Sequence, residues 1–288
     1  MKLIDFYNRV IKYATLIDPR KKSEVVFDDT AILCGNPDTP VRRILVGIDI
    51  EVGEILLADK IRKEEGLDLV IAHHPEGKAQ AAFYKVMQLQ VDLLTKVGIS
   101  KAVAQSMLDD RMEEVARRVS SANHTRTVDV ARILDIPFMC IHTPADNHVA
   151  HFLDKLFLKE KPKKVQDIVD ILMTIPEYRD AEANNAGPKI ILGSPKRAVG
   201  KIFTEMTGGT EGNKEVFSKL YKRGIRTLVS MHLSEEHFRK VKDNNLNAII
   251  AGHISSDTLG LNLLLDKIEK EEKLSVIGCS GFRRFSRN

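Results

Sequence analysis

The chain has 288 residues, 43% of them apolar, which is enough to bury a substantial core in one large or two medium domains. Lys and Arg number 44 against 40 Asp and Glu, a formal charge of +4 spread through mixed segments such as Lys60 to Gly66, and this balance does not call for a nucleic-acid partner. Cys34, Cys140 and Cys279 are far apart and odd in number, which excludes a disulfide framework and thiolate zinc spacing, and no run of about eighteen apolar residues exists to cross a membrane, so a cytoplasmic protein is expected. Two short basic clusters, Lys159 to Lys164 and Phe282 to Arg287, are read as solvated surface with some capacity for phosphate.

In chain order, apolar positions from Leu3 to Ile17 follow a helical period and predict an amphipathic first helix. A polar, turn-rich stretch follows. Arg43 to Asp49 then reads as a strand ending in an acid, Val52 to Glu65 as a helix, and Leu69-Val-Ile-Ala72 as a buried strand that delivers His73 and His74 before Pro75 stops it. Strand, helix, strand is the unit of an α/β fold. From about 79 to 134 the pattern is helical without a strand, and Pro137 to His142 is a second short apolar run ending in histidine, followed by Thr143-Pro-Ala-Asp146.

Helices are expected over 148–158 and 165–173, and the loss of apolar periodicity over 177–188 suggests a domain boundary there. This gives a first lobe over 1–177, with 79–134 as a long helical insertion, and a second over 188–288 whose C-terminal part could return to the first. The second lobe begins with strands at 189–192 and 199–203. Gly208-Gly-Thr-Glu-Gly212 then precedes a helix near Asn213 and reads equally as a phosphate cradle or a tight turn, since it lacks the Lys-Ser/Thr of a P-loop. Strands ending at Met231 and Gly252 lead into His232 and His253, and a helix over 255–270 and a strand over 274–277 close the chain.

Four strands thus terminate in histidine. Ligands of α/β sheets gather beyond the carboxyl ends of strands, so His73, His74, His142, His232 and His253 at equivalent ends carry spatial information. Alternation along a strand would turn His73 and His74 to opposite sides, which favours two metals, or one metal and a neighbouring supporting group, over one ion held by both. Asp257 lies four residues after His253, a spacing that puts both on one side of a helix, although Ser255, Ser256 and Asp257 also suit helix capping. Asp146 is a carboxylate just beyond a strand end, with an Asx turn as its plainer role.

His-His-Pro after one strand, His-Thr-x-x-Asp after another and Gly-His followed by an acid near the C-terminus, in this order, resemble the GTP cyclohydrolase 1 type 2 homologues, also called Nif-three-like proteins. The resemblance spans nearly the whole chain and includes Gly208 to Gly212 and Met231 to His237. It implies two αβ lobes of mixed sheets flanked by helices, with a two-metal site between them at the C-terminal ends of strands, and a homo-oligomer in the form of a hexameric ring. Carried over residue by residue, the ligands would be His73, His74, Asp146, His253 and Asp257, with His142 and His237 close behind them or facing substrate. The chain departs from the family in carrying Asp257 where Glu is usual, in continuing His-His-Pro as Glu76-Gly-Lys78, and in the length of its 79–134 span.

Nitrogen and oxygen donors without thiolate suit two divalent ions such as Zn²⁺, Fe²⁺, Mn²⁺ or Ni²⁺. The function implied is a metal-dependent hydrolase that uses a metal-bound hydroxide on a small-molecule substrate, a nucleotide or a phosphoester-like compound. The alternative is a non-enzymatic metal-binding, interaction or regulatory protein.

Overall fold

Short β-branched runs become strands and the periodic segments become helices in the computed structural model, which describes residues 1–20 and 25–288. In order these are α1 (Leu3–Thr15), β1 (Ala31–Cys34), β2 (Arg43–Gly47), α2 (Val52–Glu65), β3 (Leu69–Ala72), α3 (Gly77–Ala81), α4 (Leu89–Lys96), α5 (Lys101–Ser120), α6 (Arg126–Ile133), β4 (Phe138–Cys140) and α7 (Thr143–Glu160). The chain continues with α8 (Val165–Leu172), α9 (Pro176–Ala183), β5 (Lys189–Leu192), β6 (Lys201–Glu205), α10 (Val216–Lys222), β7 (Ile225–Ser230), α11 (Glu235–Asp243), β8 (Asn247–Ile250), α12 (His253–Glu269) and β9 (Ser275–Cys279). Two units result, one of Met1–Val86, Met112–His148 and Asp257–Asn288, the other of Met87–Arg111 and Val149–Ser256. Among the described residues no helix is long and apolar enough to cross a membrane.

The first unit is a five-stranded mixed sheet in the order β1-β4-β3-β2-β9, with every pairing parallel except that of edge strand β1 with β4. Parallel strands covered on both faces must be apolar on both, and the alternation is clean. Ile44, Val46, Leu69, Ile71 and Met139 pack on one face against Leu3, Phe6 and Val10 of α1 and Leu261, Leu264, Leu265 and Ile268 of α12. Leu45, Val70, Ala72, Phe138 and Cys140 pack on the other against Ile55 and Ala58 of α2 and Val128 and Ala131 of α6.

The second unit repeats the plan with four strands in the order β5-β8-β7-β6, in which β6, β7 and β8 are parallel and β5 is an antiparallel edge. Tyr178 of α9 is fully buried, and its hydroxyl lies 3.0 Å from Ser256 Oγ.

Several expectations are corrected. The stretch after the first helix contains β1, whose four half-buried residues pair with β4 through a bulge between Ile32 and Cys34. The 79–134 span is helical but broken into separate pieces, and Met87–Arg111 groups with the second unit, so the span is not a single insertion in the first. Residues 176–183 form α9 where a boundary was expected, because Pro176 at its first turn preorganises a helix whose one large apolar residue, Tyr178, is enough to anchor it. Helix α7 starts at Thr143, five residues earlier than the apolar period suggests, because a first turn carrying Asp146 is polar for a reason other than exposure. The basic tail is not a free phosphate site: Phe282 is buried, and Arg284 Nη2 donates to Asp266 Oδ1 at 2.6 Å and Glu269 Oε2 at 2.5 Å.

The two-faced core makes a direct prediction. Leu264→Ala, at a fully buried position, should lower unfolding free energy by about 3 kcal/mol, whereas Ile133→Ala, at a position 81% exposed, should stay within about 0.5 kcal/mol of wild type. Denaturant titration of both variants checks this, and equal effects would contradict the assigned packing.

Candidate metal centre

Strand β3 ends at Ala72, and the chain bends at once. The backbone N–H of His73 donates to Gly47 O at 2.9 Å, the next bond of the parallel ladder, but also to Ile48 O at 3.2 Å, and that of His74 donates to the same Ile48 O at 3.0 Å, so regular strand geometry ends at these two residues. Their rings consequently lie 5.3 Å apart and on the same side, which corrects the expectation that alternation would separate them. His142 joins them from the end of β4, its ring 4.9 Å from that of His73.

Two helices bring the acids. Asp257 occupies the stripe of α12 that continues through Leu261, Leu264, Leu265 and Ile268 into the core, so helix packing on the sheet carries its carboxylate to the strand ends. Asp146 sits in the first turn of α7, where the helix dipole favours its charge. Both are buried, as are His73 and His142, while His74 keeps 29% of its side chain exposed and forms the solvent-facing edge.

Each imidazole is fixed through Nδ1. His73 Nδ1 is 3.0 Å from Ile141 O, His74 Nδ1 2.6 Å from Asp49 Oδ1, and His142 Nδ1 2.8 Å from Asp29 Oδ2. With Nδ1 donating, Nε2 is left as the lone-pair nitrogen, and all three Nε2 atoms meet carboxylates. His73 Nε2 lies 3.4 Å from both Asp146 Oδ1 and Asp257 Oδ1, His74 Nε2 3.4 Å from Asp257 Oδ2, and His142 Nε2 3.8 Å from Asp146 Oδ2.

His73 Nε2 and Asp146 Oδ1 are buried and make no hydrogen bond, although they face each other. Leaving such groups unmet is costly, and a cation between them would satisfy both. Burial opposes a proton on His73, but the charge of Asp257, with help from Asp146, overcomes it and pushes the imidazole up to about 10. His74 is raised too, against its burial, mainly by its contact with Asp257. A site that binds a proton this strongly is one whose carboxylates demand positive charge. Asp29 supplies the counterpart behind His142: burial would raise its pKa, yet His142 and Thr143, the latter donating through both N and Oγ1, hold it below the usual carboxylate range.

His73, His74 and Asp257 form one group able to hold an ion, and His73, His142 and Asp146 another. A single ring nitrogen coordinates one ion, so the two groups are neighbouring halves of one centre that share His73. The donor set of imidazole nitrogen and carboxylate oxygen fits a divalent transition metal.

The other histidines singled out in the sequence, His232, His237 and His253, belong to the second unit. His253 is the first residue of α12, reached by a turn at Gly252, where φ is +112° and any Cβ would meet Ser255 Oγ at 2.5 Å. Its ring stacks edge-on at 4.9 Å with that of His232. His237 has both ring nitrogens engaged, Nδ1 with Ser234 Oγ at 2.9 Å and Nε2 with Gly212 O at 3.0 Å. The Gly208 to Gly212 segment is a bend, with the carbonyls of Gly208 and Thr210 accepting from Gln90 Nε2 and the Glu211 carboxylate accepting from Ser234 N. The parts played by Asp29 and Asp49 are what sequence reasoning missed, and His142, expected close behind the ligands or facing substrate, stands in a candidate ligand group itself. The acid ending the β2 run was visible, but nothing marked Asp29 apart from its place just before an apolar run.

No family model matches the chain, and no curated relative matches it significantly. Solved structures do. A NIF3 superfamily protein from Sphaerobacter thermophilus is 28% identical, with a TM-score of 0.79 over 96% of this chain and 98% of that one. Reduced HcgD from Methanocaldococcus jannaschii and TTHA1606 from Thermus thermophilus are each 14% identical, with TM-scores of 0.56 and 0.55 over 96% of this chain and 97% of each of theirs, and they share the fold. With the ordered His-His-Pro, His-Thr-x-x-Asp and Gly-His motifs now on that fold, the chain is similar in sequence and fold, over nearly its whole length, to a NIF3 superfamily protein.

Proposed function

We propose that this protein is a divalent-metal-dependent hydrolase with two ions in its centre and a nucleotide or phosphoester-like small molecule as substrate. The observation that carries the reading is the buried, unmet pair His73 Nε2 and Asp146 Oδ1, set among imidazoles whose other nitrogens are tied back. His73, His74, Asp146 and Asp257 are the proposed ligands, with His142 added on geometry and His253 on the resemblance. A bound divalent ion would supply Lewis acidity and make a coordinated water acidic near neutral pH.

The chain's own residues do the rest. Ile141 O, Asp49 and Asp29 hold the imidazoles in the tautomer that leaves Nε2 free to bind, and they fix ring orientation before any ion arrives. Burial of His73, Asp146 and Asp257 limits water around the charges, while the exposed side of His74 gives a substrate one approach. An open edge of this kind favours catalysis over a closed structural site.

Two predictions follow from the ligand assignment. Asp257→Ala should lose the more weakly held ion and the hydrolysis of a responsive phosphoester or nucleotide, Asp257→Glu should keep metal with a modest change in rate, and Asp29→Asn should weaken metal binding by roughly 10- to 100-fold through His142. Elemental analysis with a substrate screen reads all three. Full metal content in Asp257→Ala would refute the assignment, and loaded protein inert across the screen would favour a non-enzymatic role.

The second concerns pH. Without metal, His73 is raised to about 10, so its proton is present at neutral pH and an incoming ion must displace it. Apparent affinity should therefore rise with pH, by about tenfold per unit below the His73 pKa, with proton release on binding. By the same sign, the metal-free fold gains most from the His73 charge below about pH 6.5 and loses that gain as pH rises towards about 10. Calorimetry of metal binding in buffers of different ionisation enthalpy measures the released protons, and a pH-independent affinity would contradict the arrangement.

A further inference from the structure

The second unit carries an open groove of about 730 Å³, a size typical of small-molecule sites. It lies at the starting ends of β6 and β7, where Lys201 and Ile225 stand, and not at the ends from which the chain proceeds to His232. Four cations line it, Lys96, Lys161, Lys201 and Arg223, against one carboxylate, Asp154. Lys96 is within electrostatic reach of Asp154, and the other three form no ion pair among the described residues.

The cations are placed by backbone features. Lys161 follows the end of α7 with φ of +51°, a left-handed position normally left to glycine or asparagine. Lys201 lies along the turn at Gly224, its Nζ 3.8 Å from where a Cβ would stand, and Arg223 lies along the turn at Gly98, its Cδ 3.6 Å from the corresponding point. Both glycines hold positive φ, +87° at Gly224 and +90° at Gly98, which keeps these turns beside the cations. Between them the groove offers apolar surface, including Leu158, which is 75% exposed, and Ile202. Lys161 also belongs to the Lys159 to Lys164 cluster, which the metal centre does not use.

We infer that this groove binds a nucleoside polyphosphate at a site separate from the metal centre. Arg223 and the lysines take the phosphates, Arg223 through its planar fork and the lysines as point charges. Leu158 and Ile202 give the base an apolar bed, and Asp154 accepts from a sugar hydroxyl. A ligand of phosphate alone would leave both the apolar bed and the carboxylate unused.

ATP is the probe, titrated calorimetrically into the metal-loaded protein beside inorganic triphosphate and adenosine. One ATP per chain should bind in the groove, beyond any taken at the metal centre and more tightly than either fragment, and Lys201→Glu with Arg223→Glu should weaken that binding by roughly tenfold or more at unchanged metal content. Lys96→Ala and Lys161→Ala, both exposed positions, should weaken it severalfold if the double variant does not fold. His73→Ala should keep ATP binding, which separates the groove from the metal centre. Undiminished ATP binding in the charge variants, loss of binding in His73→Ala, triphosphate binding as tightly as ATP, or no binding at millimolar ATP would each overturn the proposal.

Discussion

Two carboxylates held in the interior against one imidazole nitrogen set the terms for the first unit. Asp146 and Asp257 both stand 3.4 Å from His73 Nε2, and His73 is wholly buried. Charges removed from water in this way are tolerated only with a partner, and one imidazole proton between two acids is a thin one. The raised pKa of His73 is the measure of that demand in the absence of an ion. A divalent cation answers it better, because it can be shared among several donors at once.

That constraint explains features that would otherwise look unrelated. The bend after Ala72 brings two adjacent histidines to one side, at the cost of ending β3 early. The core stripe of α12 includes an aspartate at its upper end, so the packing that covers the sheet also positions a ligand. Asp29 is completely buried and receives hydrogen bonds from His142, from the backbone and hydroxyl of Thr143 and, at 3.4 Å, from the Thr30 hydroxyl. Such a carboxylate contributes little to a core by itself, and its use is to hold the imidazole in front of it.

Much of this was legible in the sequence because it rests on local chemistry. The apolar run before His73-His74, the strand ends at His142, His232 and His253, and the four-residue spacing of His253 and Asp257 all depend on neighbouring residues, and the helix does begin at His253. What failed depended on distant parts of the chain. Strand β1 has only four residues, and its pairing partner β4 lies about a hundred residues on. Helix α9 has one large buried side chain, too few to show a period. Strict alternation misplaced His73 and His74 because hydrogen bonds to the β2 end, not visible in the run itself, terminate the strand. Met87–Arg111 groups with residues that follow Val149, a division settled by long-range contacts and falling inside helices, where composition leaves no mark.

The central claim is that the His73, His74 and Asp257 group, with Asp146 and His142 beside it, is a metal centre. The most direct measurement is crystallography of the purified protein with diffraction collected on both sides of the absorption edge of whichever metal fluorescence detects. The account predicts anomalous density bounded by His73 Nε2, His74 Nε2 and Asp257, with a second peak beside Asp146. A crystal grown with Zn²⁺ or Mn²⁺ that shows no anomalous peak there, and a proton-bearing His73 bridging the two carboxylates instead, would contradict it.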